Sequence, residues 1–144
     1  MTDEPDALNA ALQAEDAAVY AYGIVAAYSL AARQDSVTEF IAAHRAQRDS
    51  VAAAVKTAGA SAQPAAPAYK IPTPVTDGTT AAKLAVTAEE GCAQAYRQLL
   101  SAAGSDGVRR IALGGLTGAA TRAARWRIAL NIAPATPSLP GGDA

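Results

Sequence analysis

At 144 residues, half of them hydrophobic but only 5% aromatic, the chain holds enough apolar mass for one domain with one alanine-rich core, and not for two. A net charge of −1 gives no overall attraction to nucleic acid or to an anionic membrane surface. Cys92 is the single cysteine, which excludes an intrachain disulfide and metal chemistry built on thiolate pairs, and reads as a buried, inert thiol.

The acidic start, MTDEPDALNAALQAED, has no uninterrupted apolar run and does not read as a signal peptide. Nowhere does an apolar run approach the roughly 20 residues of a membrane span. A cytoplasmic protein without membrane or nucleic-acid partners is expected.

Asp3 to Asp6 suit a helix N-terminus, and Leu8, Leu12, Glu15, Val19, Tyr22 and Ala26 then recur at the helical period, with one carboxylate inside the apolar stripe. This first helix is expected to end near Arg33. Ser36 and Glu39 read as a capping box that starts the second helix at about Val37. Its stripe of Val37, Ile41, His44, Arg48, Val51 and Val55 turns the only histidine and Arg48 toward the core. Gly59 closes it.

The segment SAQPAAPAYKIPTPVTDG carries four prolines in eleven residues, so it must be extended. Tyr69, Ile71 and Val75 alternate with polar or proline positions and are expected to point into the groove between the second and third helices. A third helix, with Thr79 or Thr80 as cap, runs from about Gly78 to Ala103 through Leu84, Glu89, Cys92, Tyr96 and Leu99. After a turn at Gly104-Ser105-Asp106, a fourth runs to about Ile132 with a stripe of Val108, Ile111, Gly115, Ala119, Arg122, Trp126 and Leu130. Gly114 and Gly115 lie inside this helical pattern, where small residues permit close packing. The expected bundle spans residues 1–134, followed by a flexible Pro/Gly tail over 135–144.

Two short hairpins joined by one long crossover make an all-α, ferritin-like four-helix bundle, with the second and third helices parallel. The loop lengths allow it: about 18 extended residues reach about 55 Å, against roughly 33 Å for a 22-residue helix.

The fragments AEDAAVYAYG, AAHRAQRD, AYKIPTPVTD and RAARWR resemble a ferritin-like family found mostly in actinobacteria and catalogued as a domain of unknown function. The resemblance spans roughly residues 7 to 134, and the crossover motif is its most specific part. It implies the bundle fold and no established activity.

A di-iron centre in such a bundle takes one Glu from each of two helices and Glu-x-x-His from each of the other two. Glu15 and Glu89 are the candidates for the single glutamates. The paired positions read Ile41…His44 and Ala119…Arg122, so two glutamates and one histidine are missing, and arginine, always protonated, is no ligand. Folding the first hairpin about Asp35 sets Glu15 about 11 residues, or roughly 16 Å, from His44, too far to share a metal. The second hairpin sets Glu89 beside Arg122, and Arg48 comes level with them if the second and third helices start at one height. A buried polar cluster of Glu15, His44, Arg48, Glu89 and Arg122 is therefore expected, with Glu89 between two guanidinium groups and Glu90 turned toward solvent.

The favoured expectation is a binding or interaction module without metal or cofactor, with a homodimer as one assembly open to it, and no enzymatic activity is assigned to it. The alternative is an iron-dependent redox or iron-handling protein that uses Glu15, His44 and Glu89, with Glu90 or Asp49 in support. A third option is a small-molecule pocket lined by Tyr20, Tyr22, Tyr96 and Trp126. The basic run Arg122, Arg125 and Arg127 has no acid close in sequence and reads as a solvated helix end or an anion site.

Overall fold

The computed structural model describes residues 2–142, in which four long helices form and no strand does. They are α1 (Glu4–Tyr28), α2 (Gln34–Thr57), α3 (Gly78–Ala102) and α4 (Asp106–Ala129). Asp3 caps α1 by accepting the Asp6 amide at 2.9 Å, with Pro5 in the first turn, where its missing N–H costs nothing. Asp77, not a threonine, caps α3. Its carboxylate accepts the Thr80 amide at 2.8 Å, and the Thr80 hydroxyl accepts the Asp77 amide in return. Ser105 caps α4 through the Val108 amide.

The first hairpin differs from the expectation read in the sequence. Helix α1 stops at Tyr28, Ser29 and Leu30 are extended, and a single 3-10 turn over Ala31–Arg33 leads into α2 at Gln34. Ser36 and Glu39 therefore lie inside α2 and form no capping box. The reversal is held by Gln34, whose side-chain amide donates to the carbonyl oxygens of Ala26 and Ser29, both at 3.0 Å. Those carbonyls belong to the set that every helix C-terminus leaves without an intrahelical partner. The apolar pattern runs on through Leu30, Ala31 and Ala32, so periodicity alone does not mark the break.

Helix α1 packs on α2 and on α3, α3 packs on α4, and α4 touches α2 lightly. Helices α2 and α3 are thus diagonal. The crossover does not lie in a groove between them, as its alternation suggested, but runs up the outside of α1. Asn9 brackets it, donating to the Ser61 carbonyl and accepting the Gln63 amide, and Gln13 donates to Gln63 and Pro64. Tyr69 then packs on Tyr20 with ring centroids 5.7 Å apart, and Ile71 and Val75 lie half-buried against the upper core. The connectivity is two antiparallel hairpins joined by one long crossover, as in ferritin-like bundles.

Residues after α4, expected as a flexible tail, lie along α3 and α4. Arg127 donates to the Ala135 carbonyl and Arg97 to that of Pro140. The end of the expected tail, 143–144, lies outside the described residues.

The core has two apolar halves. The lower is built from Leu8, Leu12, Val51, Val55, Tyr96 and Leu99, and the upper from Tyr22, Val25, Val37, Phe40, Leu84 and Trp126. Between them lies a layer containing Glu15, His44 and Glu89, all fully buried. Gly115 serves this layer indirectly. A Cβ on it would stand 2.5 Å from the Tyr96 ring, so the small residue lets α4 close on the tyrosine. Nothing lies within 4 Å of the corresponding position on Gly114.

Gly115→Ala should therefore destabilise by about 1–3 kcal/mol, the usual cost of overpacking. Gly114→Ala should be neutral or stabilising by up to about 1 kcal/mol through helix propensity. Urea melts of the two variants check this, and equal effects would mean that Tyr96 can move aside.

Candidate functional site

One charged side chain from each helix meets in the buried layer: Glu15 from α1, His44 from α2, Glu89 from α3 and Arg122 from α4. His44 Nδ1 stands 2.7 Å from Glu15 Oε2, and its Nε2 stands 2.9 Å from Glu89 Oε1. Arg122 donates from Nε to the same Glu89 oxygen at 2.9 Å. Two phenols complete the layer crosswise. Tyr22 of α1 donates to Glu89 on α3 at 2.6 Å, and Tyr96 of α3 donates to Glu15 on α1 at 2.6 Å. Trp126 donates its indole N–H to the Tyr22 hydroxyl at 2.8 Å. The chain of hydrogen bonds from Trp126 through Tyr22, Glu89, His44 and Glu15 to Tyr96 crosses the whole bundle.

Burial by itself pulls the His44 imidazole down, but hydrogen bonds and charge from Glu15 and Glu89 overcome it and push it up to about 9. At neutral pH the ring is therefore a cation donating from both nitrogens. Burial also opposes the charge on Arg122, and Glu89 outweighs it, so the guanidinium is held more firmly than usual. Two carboxylates and two cations make the layer neutral as a whole, which is how buried charge becomes tolerable. Burial, then the adjacent carboxylates, raise the Tyr22 and Tyr96 hydroxyls above their ordinary values and leave them neutral donors. Burial, then Glu15, likewise raises the Cys92 thiol well above its usual range, and Cys92 Sγ contacts the Ala14 carbonyl at 3.5 Å.

The layer stands where a ferritin-like bundle would hold two irons, so its fit to them can be tested on its chemistry. It offers two glutamates and one histidine, with both ring nitrogens already on carboxylate oxygens. Ile41 and Ala119 supply no ligand. The place of the second histidine holds Arg122, a permanent cation bonded to Glu89. A di-iron centre does not fit this set. Two features point the other way for a single ion: Glu89 Oε2 is buried without a partner, and Glu15, His44 and Cys92 offer ligand atoms within 4.8 Å of one another.

Several expected placements change. Glu15 and His44 are not 16 Å apart but bonded. Moving the turn from Asp35 to Ser29-Leu30 counts on both helices and slides their register by about ten residues, or roughly 15 Å. Arg48 leaves the cluster for the same reason. With α2 starting one turn earlier, His44 rather than Arg48 comes level with Glu89, and Arg48, a third exposed, pairs with its neighbour Asp49 at 3.0 Å.

The four aromatics expected to line one pocket are dispersed. Tyr20 is on the surface against Tyr69, Tyr22 and Tyr96 are spent on carboxylates, and Trp126 alone borders a cavity, of about 70 Å³, beside Arg33, Phe40 and Arg125. The basic run is paired as well: Arg122 with Glu89, Arg127 with Glu90, and Arg125 more loosely with Glu39 at 3.8 Å. The donor role of the two tyrosines was missed, although a signal exists. Glu15 and Tyr22, and again Glu89 and Tyr96, are seven residues apart in the matching strings AEDAAVYAY and AEEGCAQAY.

Two outcomes are expected in solution. The His44 cation stabilises the fold fully below about pH 6.5, its unfolded value, and that contribution is lost as pH rises toward about 9. At roughly 1.4 kcal/mol per pH unit the loss amounts to about 3 kcal/mol, so urea midpoints should fall across this window. A flat profile would mean the ring is buried neutral. Glu89→Ala should cost about 3–5 kcal/mol because it strands His44 and Arg122, whereas Glu90→Ala, half-exposed on the same helix, should cost less than about 1 kcal/mol. Equal losses in denaturant melts would refute the assignment of the buried charges.

A search of curated proteins finds no match. Among solved structures, the chain is similar to a conserved hypothetical protein, rv2844, from Mycobacterium tuberculosis, at 35% identity and a TM-score of 0.86, over 88% of this chain and 96% of that one. That similarity extends beyond the fold to the sequence. The model of the family described as domain of unknown function DUF4439 matches residues 7–144, nearly the whole chain including the segment after α4, and the chain therefore belongs to the DUF4439 family.

Proposed function

We propose that this chain is a cytoplasmic four-helix binding module whose interior is an ion-paired scaffold rather than a di-iron centre. One observation carries the reading: both His44 nitrogens and the Arg122 Nε are already bonded to Glu15 and Glu89, so the groups that would bind iron are consumed in neutralising each other. With the core closed in this way, recognition belongs to the outside of the bundle. Among the described residues no helix is long and apolar enough to cross a membrane, in keeping with a partner met in solution.

The competing reading, an iron-dependent redox or iron-handling protein, is supported by the unpartnered Glu89 Oε2 and by the proximity of Cys92 to Glu15 and His44. One experiment separates the two. Protein purified after aerobic growth with added iron should contain far less than one metal ion per chain, and EDTA should leave its thermal midpoint unchanged. About two irons per chain, or a midpoint that falls with chelator and returns with iron, would overturn the metal-free reading.

A further inference from the structure

Helices α3 and α4 are straddled by the segment that follows α4, and beneath it lies a cleft of about 780 Å³. Such a volume falls in the range of small-molecule sites, roughly 300–1,000 Å³. The segment is pinned at both ends. Arg127 Nη1 donates to the Ala135 carbonyl at 3.2 Å, and Arg97 Nη1 donates to the Pro140 carbonyl at 3.3 Å. At the far end Gly141 has φ +71°, and a Cβ there would stand 2.3 Å from the Ala93 carbonyl oxygen, so glycine is what lets the strap touch α3.

Between the pins the lining is mostly apolar. Gly91 and Ala123 make the floor, and Pro137 and Leu139 make the strap side. Leu139 is 63% exposed, an apolar side chain over the cleft with no core to enter. Gly91 lies inside α3, where glycine weakens a helix, yet a Cβ on it would meet nothing within 4 Å. Packing does not require glycine there, and what its absent side chain leaves is open space.

The polar groups converge at one end. The Arg127 side chain, 12% exposed, holds the half-exposed Glu90 carboxylate at the cleft wall, with Gln94 beside them on α3. Arg97 adds a second cation at the strap. Glu90 shows where an anionic oxygen sits on Arg127, and being half in solvent it can yield that position.

The geometry points to a ligand site in this cleft, specific for a small molecule with an apolar body and one anionic group that takes the Arg127 guanidinium. This rests on the binding-module reading and names its ligand class.

The probe is 8-anilinonaphthalene-1-sulfonate, an apolar aromatic with one sulfonate, alongside its neutral counterpart N-phenyl-1-naphthylamine, each titrated by fluorescence against the full chain. The sulfonate should bind saturably at one site. Arg127→Gln should weaken it by about tenfold or more while leaving the neutral probe nearly unaffected, because only the sulfonate makes a charge-assisted bond. Gly91→Leu, which fills the cleft, should abolish binding of both probes while keeping or raising the thermal midpoint. No saturable binding, or binding unchanged in Gly91→Leu, overturns the site, and equal sulfonate affinity in Arg127→Gln overturns the ligand class. Metal content separates this from the reading beneath it: a metal-free protein that fails the probe loses only the cleft, whereas stoichiometric iron removes the binding-module reading itself.

Discussion

Everything in this bundle is arranged around one constraint: two carboxylates buried at its centre must each find a cation. Glu15 and Glu89 have no access to water, and a lone buried charge is among the most destabilising features a core can hold. The cations come from the two helices that carry no buried acid, His44 on α2 and Arg122 on α4. Because each helix contributes one member, the pairing specifies the axial register of all four at once. Sliding any helix by a single turn, about 5.4 Å, would break bonds of 2.7–2.9 Å and strand a charge. The surrounding core is poorly suited to that task. Alanine recurs along every helix, and small side chains interlock in many registers almost equally well.

The tyrosines reinforce the same lock across the interface of α1 and α3. Helices α1 and α3 run antiparallel, and each carries a glutamate and, two turns later, a tyrosine, so that each tyrosine reaches the other helix's glutamate. Gly115 belongs to this arrangement although it touches no charge. Its missing Cβ is what allows α4 to press on the Tyr96 ring while the hydroxyl keeps Glu15. The apolar halves above and below are thereby separated by a layer satisfied at nearly every polar atom, the exception being Glu89 Oε2.

The sequence made four helices, their order and the crossover readable, because periodicity and proline act locally. It also placed Glu89 beside Arg122, since Gly104-Ser105-Asp106 marks the second turn within a residue or two. The first turn carried no such mark. Leu30, Ala31 and Ala32 continue the apolar pattern, and the break is held by the Gln34 side chain reaching back five and eight residues to two carbonyls, a side-chain contact that hydrophobic periodicity does not register. From that one misplacement followed the wrong height for Glu15 and the exchange of His44 for Arg48. The path of the crossover was hidden for a different reason: alternation says that one side of a strand is buried, but not against which helix.

The identity of the cations also decides how closed the centre of the bundle is. A di-iron bundle neutralises its carboxylates with ions drawn from solution, so its interior must stay open to them. Here the neutralising charges are covalently part of α2 and α4, and the imidazolium, the guanidinium and two phenols occupy nearly every acceptor the glutamates offer. An interior so arranged gains from exclusion of water, since each of these bonds is stronger in a low dielectric. On the reading proposed above, binding then falls to the periphery. On that periphery the segment after α4 lies along α3 and α4 and touches α3 at Gly141, yet leaves a cleft beneath it with the largely buried Arg127 at one end. Gly91, inside α3, leaves open space beneath that segment and makes no close contact that glycine alone would permit, so its cost to the helix is not offset by packing at that point.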